Sequence, residues 1–210
     1  MNNMDGILIV ISGFSGAGKG TLMKRLLSDY DDYALSISMT TRAPREGEEN
    51  GREYFFVSKE EFETAISRDE LIEHACYCDN YYGTPKAYVQ NKLKEGKNVI
   101  LEIEVQGAMQ IKQKFPESLL LFVTPPSAYE LEKRLKGRGT ETDDVIAKRI
   151  NRAVDEAKSM DCYEYLVIND DLDECVKQMH EIIKAAKYAS SRQDNTIKTI
   201  KSELNKICNK

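Results

Sequence analysis

Four short apolar runs punctuate the chain: Ile7–Ile11, Val99–Leu101, Leu119–Val123 and Leu166–Ile168. Each is continuous rather than alternating, the pattern of strands buried on both faces of a parallel sheet. Helical patterns lie between or after them. Leu22, Met23, Leu26 and Leu27 mark a helix behind the first run, and Val176, Met179, Ile183 and Ala186 recur at spacings of three, four and three, one face of a helix. This alternation predicts an α/β domain with helices covering a central parallel sheet.

Two segments break the alternation. The first spans about residues 37–88: aromatic and β-branched content predicts a strand at Glu53–Val57, Ser58-x-x-Glu61 is a capping box for a short helix with Phe62 and Ile66 inward, and a strand follows at Leu71–Cys76. Thr84-Pro85 then reads as the N-cap and first-turn proline of the next helix. This is a small mixed α/β insertion. The second segment, about 127–158, opens on another capping box, Ser127-x-x-Glu130, is interrupted at Arg138-Gly139-Thr140-Glu141, and restarts at Thr142-Asp143-Asp144. It reads as helix, turn, helix: a lid. Ile197, Ile200, Leu204 and Ile207 keep helical spacing in a polar tail, either docked or frayed.

The chemistry starts at residues 13–21, Gly-Phe-Ser-Gly-Ala-Gly-Lys-Gly-Thr, directly after the first apolar run. Gly13, Gly16 and Gly18 let the backbone approach a ligand closely, and successive N–H groups form a concavity for phosphate oxygens. A helix starting near Lys19 adds its positive end, and the Lys19 ammonium reaches the β- and γ-phosphates. The spacing fits a nucleotide phosphate-binding loop; a plain strand-to-helix turn needs one glycine rather than four and no lysine.

Composition narrows the partners. At 210 residues with 41% hydrophobic and 31% charged residues the chain can bury one sizeable core, and a net charge of −5 gives no global basic field for nucleic acid. Five scattered cysteines, an odd number, predict reduced thiols in a cytoplasmic protein rather than a disulfide framework. The run at 7–11 is too short for a signal peptide core and nothing approaches a membrane span.

Arg42 and Arg45, with Pro44 between them, and Tyr54 and Tyr82 suit a second phosphate, because arginine forks bind oxyanions in pairs; solvated loop arginines are the alternative. Glu73, on an otherwise apolar or small strand, either faces solvent or receives donors. Glu102 and Glu104 end the Val99–Leu101 run, where an acidic residue beside a phosphate loop orients Mg²⁺, often through water; Glu102 is the candidate. The lid supplies Arg134, Arg138, Arg149 and Arg152 for the charge on a transferring phosphoryl group, with Arg134 and Arg152 expected to be surface charges.

The run Ser38-x-Thr40-Thr41-Arg42-x-Pro44-Arg45-x-Gly47-Glu48-x-x-Gly51-x-x-Tyr54 resembles the GMP-binding signature of guanylate kinases. Glu73, Tyr81-Tyr82-Gly83-Thr84, Glu102-Ile103-Glu104-Val105-Gln106-Gly107, Arg138-Gly139-Thr140-Glu141 and Val167-Ile168-Asn169-Asp170-Asp171-Leu172 match in order, so the resemblance covers about residues 5–188. It implies a P-loop three-layer α/β fold: a nucleotide-binding core (1–36, 89–126 and 159–189), a GMP-binding subdomain (37–88), a helical lid (127–158) and a C-terminal tail or docked helix (190–210). It implies transfer of the γ-phosphoryl of ATP to GMP and dGMP with Mg²⁺, in the cytoplasm, for guanine nucleotide synthesis and recycling. Neither nucleic acid nor membrane is involved, and monomer or homodimer is left open.

Position by position, the resemblance assigns Gly13, Ser15, Gly16, Ala17, Gly18, Lys19, Gly20 and Thr21 to the ATP phosphates and Asn169 to the adenine end. Arg42, Arg45, Tyr54 and Tyr82 hold the GMP phosphate. Ser38, Glu73, Thr84 and Glu104 read the guanine, and Lys19, Arg138 and Arg149 are catalytic. Three positions depart from the family pattern: Glu104 stands where Asp is usual, Phe14 replaces the usual Pro, and Gly20 follows Lys19 where phosphate loops commonly carry Ser or Thr. The last leaves Mg²⁺ to phosphates, water and carboxylates. Two other readings stay open: a non-catalytic protein-binding module, and a kinase for another monophosphate or a sugar phosphate.

Overall fold

The computed structural model describes residues 6–77, 79–137 and 142–209. The first half runs β1 (Leu8–Gly13), α1 (Lys19–Asp29), β2 (Tyr33–Leu35), β3 (Met39–Thr40), β4 (Phe55–Phe56), α2 (Lys59–Ser67), β5 (Leu71–Tyr77), β6 (Asn80–Pro85) and α3 (Lys86–Lys94). The second runs β7 (Asn98–Glu102), α4 (Val105–Lys114), β8 (Leu119–Thr124), α5 (Ala128–Gly137), α6 (Asp143–Ala157), β9 (Tyr165–Ile168), α7 (Leu172–Ala186) and α8 (Asp194–Cys208).

The apolar runs assemble as the pattern predicts. A five-stranded parallel sheet has the order β2-β7-β1-β8-β9. Its centre is β1, with Ile9 opposite Ile100 on one side and Leu119 on the other. Helix α1 buries Leu22, Met23 and Leu26 against β1 and β2, and α7 buries Val176, Met179 and Ile183. The chain leaves β1 for neighbours on both sides, so the carboxyl ends of β1 and β7 open onto a switch point, where open α/β sheets bind ligands.

One expectation needs correction here, and one strand goes unread. The run Leu166–Ile168 is not buried on both faces: β9 is an edge strand in which Val167 is buried while Leu166 and Ile168 are 52% and 54% exposed. Strand β2, Tyr33-Ala34-Leu35, escapes the pattern because a run of three residues is too short to show a period.

The first insertion forms a second sheet, β4-β3-β6-β5, over a small separate core of Phe62, Ala65 and Leu71. Phe62 stacks on Tyr81 with ring centroids 5.4 Å apart. The Ser58–Glu61 capping box is complete, but the strand expected at Glu53–Val57 shrinks to Phe55–Phe56. Thr84 is not an N-cap: it lies within β6 as a fully buried strand residue, and Pro85, the last residue of β6, occupies the cap position of α3.

The lid segment folds as α5 and α6; Arg138, Gly139, Thr140 and Glu141 lie outside the described residues. Only half of the second capping box forms, because the Ser127 hydroxyl accepts from the Glu130 amide while the Glu130 carboxylate turns to Arg134, 3.0 Å away. Leu131, Leu135, Ile146 and Ala153 join the main core. Helix α8 leaves Ile200, Leu204 and Ile207 exposed, so its apolar face is not docked on this chain. The described thiols, Cys76, Cys162, Cys175 and Cys208, are unpaired. Among the described residues no helix is long and apolar enough to cross a membrane.

Candidate active site

The loop between β1 and α1 has the backbone that its glycines predict. Gly18 sits at φ 90°, and a Cβ there would meet the Asn169 side-chain nitrogen at 2.4 Å. A Cβ on Gly13 would lie 2.1 Å from the Val123 carbonyl oxygen. Gly18 caps α1 with no side-chain hydrogen bond, so the helix presents its first amides to the loop's concavity. Phe14 packs its ring edge on Phe122, 5.0 Å between centroids, and anchors the turn by burial. The Lys19 ammonium lies across the loop, donating to the carbonyls of Gly13 (2.7 Å) and Phe14 (3.3 Å).

Asn169, expected near the adenine end, is buried and donates its amide nitrogen to the Ala17 carbonyl at 2.7 Å. It thus fastens the end of β9 to the phosphate loop. From the lid, Arg149 donates to the Ser15 hydroxyl, which brings a lid arginine onto the loop.

A cleft of about 330 Å³ runs from this loop to the second sheet. Its walls include Gly13, Ser15 and Lys19, then Glu102 and Glu104, and beyond them Ser38, Arg42, Arg45, Tyr54, Glu73 and Tyr82. Residues far apart in sequence therefore meet in one space.

At the far end Arg42 is held by both oxygens of Glu48, each 2.9 Å from the same guanidinium nitrogen, and lies 5.4 Å from the centroid of the Tyr54 ring. Glu48 also accepts from the Arg45 amide at 2.8 Å. Burial works against the Arg42 charge, but Glu48 and the Tyr82 phenol outweigh it and hold its pKa above the ordinary arginine value. Burial likewise disfavours the Glu48 charge, yet the Arg45 amide and Arg42 pull its pKa below the usual carboxylate range. Tyr54 and Tyr82 pack edge to face, 5.9 Å between centroids. Glu48 was legible only as part of a motif; its role as the clamp on Arg42 was not assigned from sequence. Removing that clamp by Glu48→Ala weakens binding of a phosphate-bearing ligand at this end of the cleft about tenfold, the weight of one lost charge-assisted contact, and leaves binding at the glycine loop unchanged. Titration with a ligand for each end measures this, and an equal loss at the glycine loop would contradict it.

Between the two ends sits Glu73, 3% exposed, its Oε1 accepting from the Thr84 hydroxyl at 2.6 Å. Of the two possibilities for this strand carboxylate, the donor-receiving one is realised. Burial pushes its pKa up to about 7, against the pull of Thr84 and Lys114. Gly107, missed as a site residue, makes this placement possible: a Cβ there would lie 2.6 Å from Glu73 Oε2.

Glu102 faces the cleft where β7 ends. Crowding by protein and the neighbouring Glu104 push its pKa up, while Lys19 opposes them. Among the described residues no cluster of three or more His, Cys, Asp or Glu is arranged to hold a metal. A single strand-end carboxylate is nevertheless the donor set suited to Mg²⁺, which keeps most of its waters and phosphate ligands. Of the lid arginines, Arg134 is a surface partner of Glu130 as expected. Arg152, expected to be another surface charge, instead lines the cleft.

Comparison with known proteins agrees with this geometry. The family model described as guanylate kinase matches residues 6–186. The chain is 49% identical to the guanylate kinase of Latilactobacillus sakei over 86% of this chain and 89% of that protein. It is 48% identical to that of Caldanaerobacter subterraneus subsp. tengcongensis over 94% and 96%. Among solved structures it is similar to guanylate kinase from Anaplasma phagocytophilum, with a TM-score of 0.76 and 30% identity over 91% of this chain and 92% of that one.

Proposed function

Because the chain belongs to the guanylate kinase family and so transfers a phosphoryl group from ATP to GMP, giving ADP and GDP, we propose how its residues divide that work. The single observation that carries the proposal is a buried carboxylate, Glu73, tethered by Thr84 in the same cleft as a phosphate-binding loop.

Guanine presents N1–H and N2–H as adjacent donors, and Glu73 accepts both. Ser38 and Thr84 flank it with hydroxyls, and Glu104 takes the second hydrogen of the 2-amino group. Adenine offers an acceptor at N1, which would face the carboxylate unpaired, so the site rejects AMP. Arg42, Arg45, Tyr54 and Tyr82 hold the GMP phosphate. The amides of Gly13 to Gly20, with Ser15 and Thr21, cradle the ATP phosphates; Asn169 sits at the adenine end of that cradle and fastens it. Lys19 and Arg149, joined by Arg138, neutralise charge on the transferring group. Mg²⁺ bound with ATP would supply further charge neutralisation, and Glu102 would hold it through water.

The chain is thus read as a core (1–36, 89–126, 159–189), a GMP-binding subdomain (37–88), a lid (127–158) and a terminal helix (190–210). Catalysis is positioning, charge neutralisation and exclusion of water, with no covalent intermediate. The reading includes activity on dGMP, since nothing in it uses the 2′-hydroxyl, a role in guanine nucleotide synthesis and recycling, a cytoplasmic location, and no nucleic-acid or membrane partner.

One experiment tests it. With ATP and Mg²⁺, GMP and dGMP are turned over, whereas AMP, CMP and dTMP show kcat/KM lower by roughly 10⁴-fold. A preference for another monophosphate would overturn the base assignment, and no product from any would favour a binding module.

A further inference from the structure

Arg152 stands three residues after Arg149 on α6, and so on the same helix face. Arg149 reaches the phosphate loop, whereas Arg152 reaches the other wall of the cleft. One guanidinium nitrogen of Arg152 lies 2.9 Å from Glu104 Oε2, and its Nε donates to Glu156 Oε1 at 2.7 Å. The Glu156 side chain is only 10% exposed, against 46% for Glu104. The order is therefore a buried carboxylate, a fork, and a more exposed carboxylate that faces the cleft.

Glu104 occupies the N-cap position of α4, yet its side chain makes no capping bond. Its carboxylate is committed to Arg152 instead. Without that partner the wall would hold Glu102, Glu104 and Glu156 with Lys19 as the nearby cation. An unpartnered Glu104, already 46% exposed, would turn toward solvent, and that removes an acceptor aimed into the cleft.

We propose that Arg152 is a positioning residue for guanine recognition: braced by Glu156, it holds the Glu104 carboxylate aimed at the 2-amino group of the nucleotide base. The proposal rests on the reading above that Glu104 contacts the base. It makes a residue of α6 part of base selectivity rather than of phosphoryl transfer.

Inosine monophosphate tests it, because it keeps N1–H and the phosphate but lacks the 2-amino group. Dissociation constants of GMP and IMP are measured by calorimetric titration of the whole enzyme. Arg152→Gln weakens GMP roughly tenfold, the weight of one charge-assisted hydrogen bond, and leaves IMP and the KM for ATP unchanged. Glu104→Gln does the same, and the double variant loses no more than either alone. Unchanged IMP binding reports that the variants are folded. If Glu104→Gln leaves the GMP-to-IMP ratio intact, the base contact itself is wrong. If Glu104→Gln collapses the ratio and Arg152→Gln does not, the contact stands and the positioning role falls. Equal weakening of GMP and IMP by Arg152→Gln, or a raised KM for ATP, also overturns the role.

Discussion

Replacing Glu73 with Gln lowers kcat/KM for GMP at pH 8 by a factor of roughly 10², about 3 kcal/mol, mainly through binding. The substitution keeps the shape and one acceptor oxygen, so the Thr84 hydroxyl keeps its partner. It removes the charge and turns one acceptor into an N–H₂ group facing a guanine donor. Two charge-assisted bonds are replaced by one neutral bond and one conflict. Isothermal titration with GMP and steady-state kinetics separate the two parameters; a loss confined to kcat would remove Glu73 from base recognition.

The same substitution stabilises the nucleotide-free protein. Glu73 titrates at about 7 in the folded chain against an ordinary value of 4.5, because burial disfavours its charge. The folded state therefore binds the proton more tightly than the unfolded state. Below pH 4.5 the group is protonated in both states, and relative to that reference stability falls as pH rises from 4.5 through 7. At pH 8 this amounts to about 3 kcal/mol, which a neutral Gln does not incur. Recognition needs the ionised form, so GMP affinity rises about tenfold from pH 6 to pH 8, as the ionised fraction does around a pKa of 7. The GMP phosphate also titrates, but it does so equally with Glu73→Gln, and the difference between the two pH profiles isolates the carboxylate. Equal profiles would show that Glu73 is already ionised throughout.

What could be read from the sequence follows the range of the interactions involved. The phosphate loop is local: Gly13, Gly18 and Lys19 each answer a need set within a few residues, so the motif alone specified the geometry. The central strands were legible because continuous burial leaves a continuous apolar run. That signal does not distinguish a centre strand from an edge, so the exposed Leu166 and Ile168 read like buried positions. Thr84-Pro85 has the chemistry of a helix start, yet pairing decides otherwise: β5 and β6 set Leu71 opposite Pro85 and His74 opposite Gly83, with an irregularity between, and this brings Thr84 to Glu73. Arg152 was the hardest case, since its partner Glu104 is 48 residues away and no periodicity links a lid helix to the end of a core strand.

Lys19→Ala lowers kcat by about 10³-fold with little change in KM for either nucleotide. The cradle for the ATP phosphates is backbone: the turn amides and the first amides of α1 remain when the side chain is removed, and the glycine conformations do not depend on it. Ground-state binding therefore survives. The ammonium matters most when negative charge shifts toward the bridging oxygen as the phosphoryl group leaves ADP, and a fixed cation there stabilises the transition state more than the bound substrate. In this structure Lys19 also ties the carbonyls of Gly13 and Phe14, but Phe14 stays anchored by its packing on Phe122, so the loop keeps its shape without it. Lys19→Arg does not rescue the rate, because a planar fork cannot take the place of a compact ammonium within the turn. Single-turnover rates with saturating ATP and GMP measure the effect directly. A variant that bound ATP poorly but reacted at the normal rate once saturated would assign Lys19 to binding and leave Arg149 and the undescribed Arg138 to carry the transferring charge.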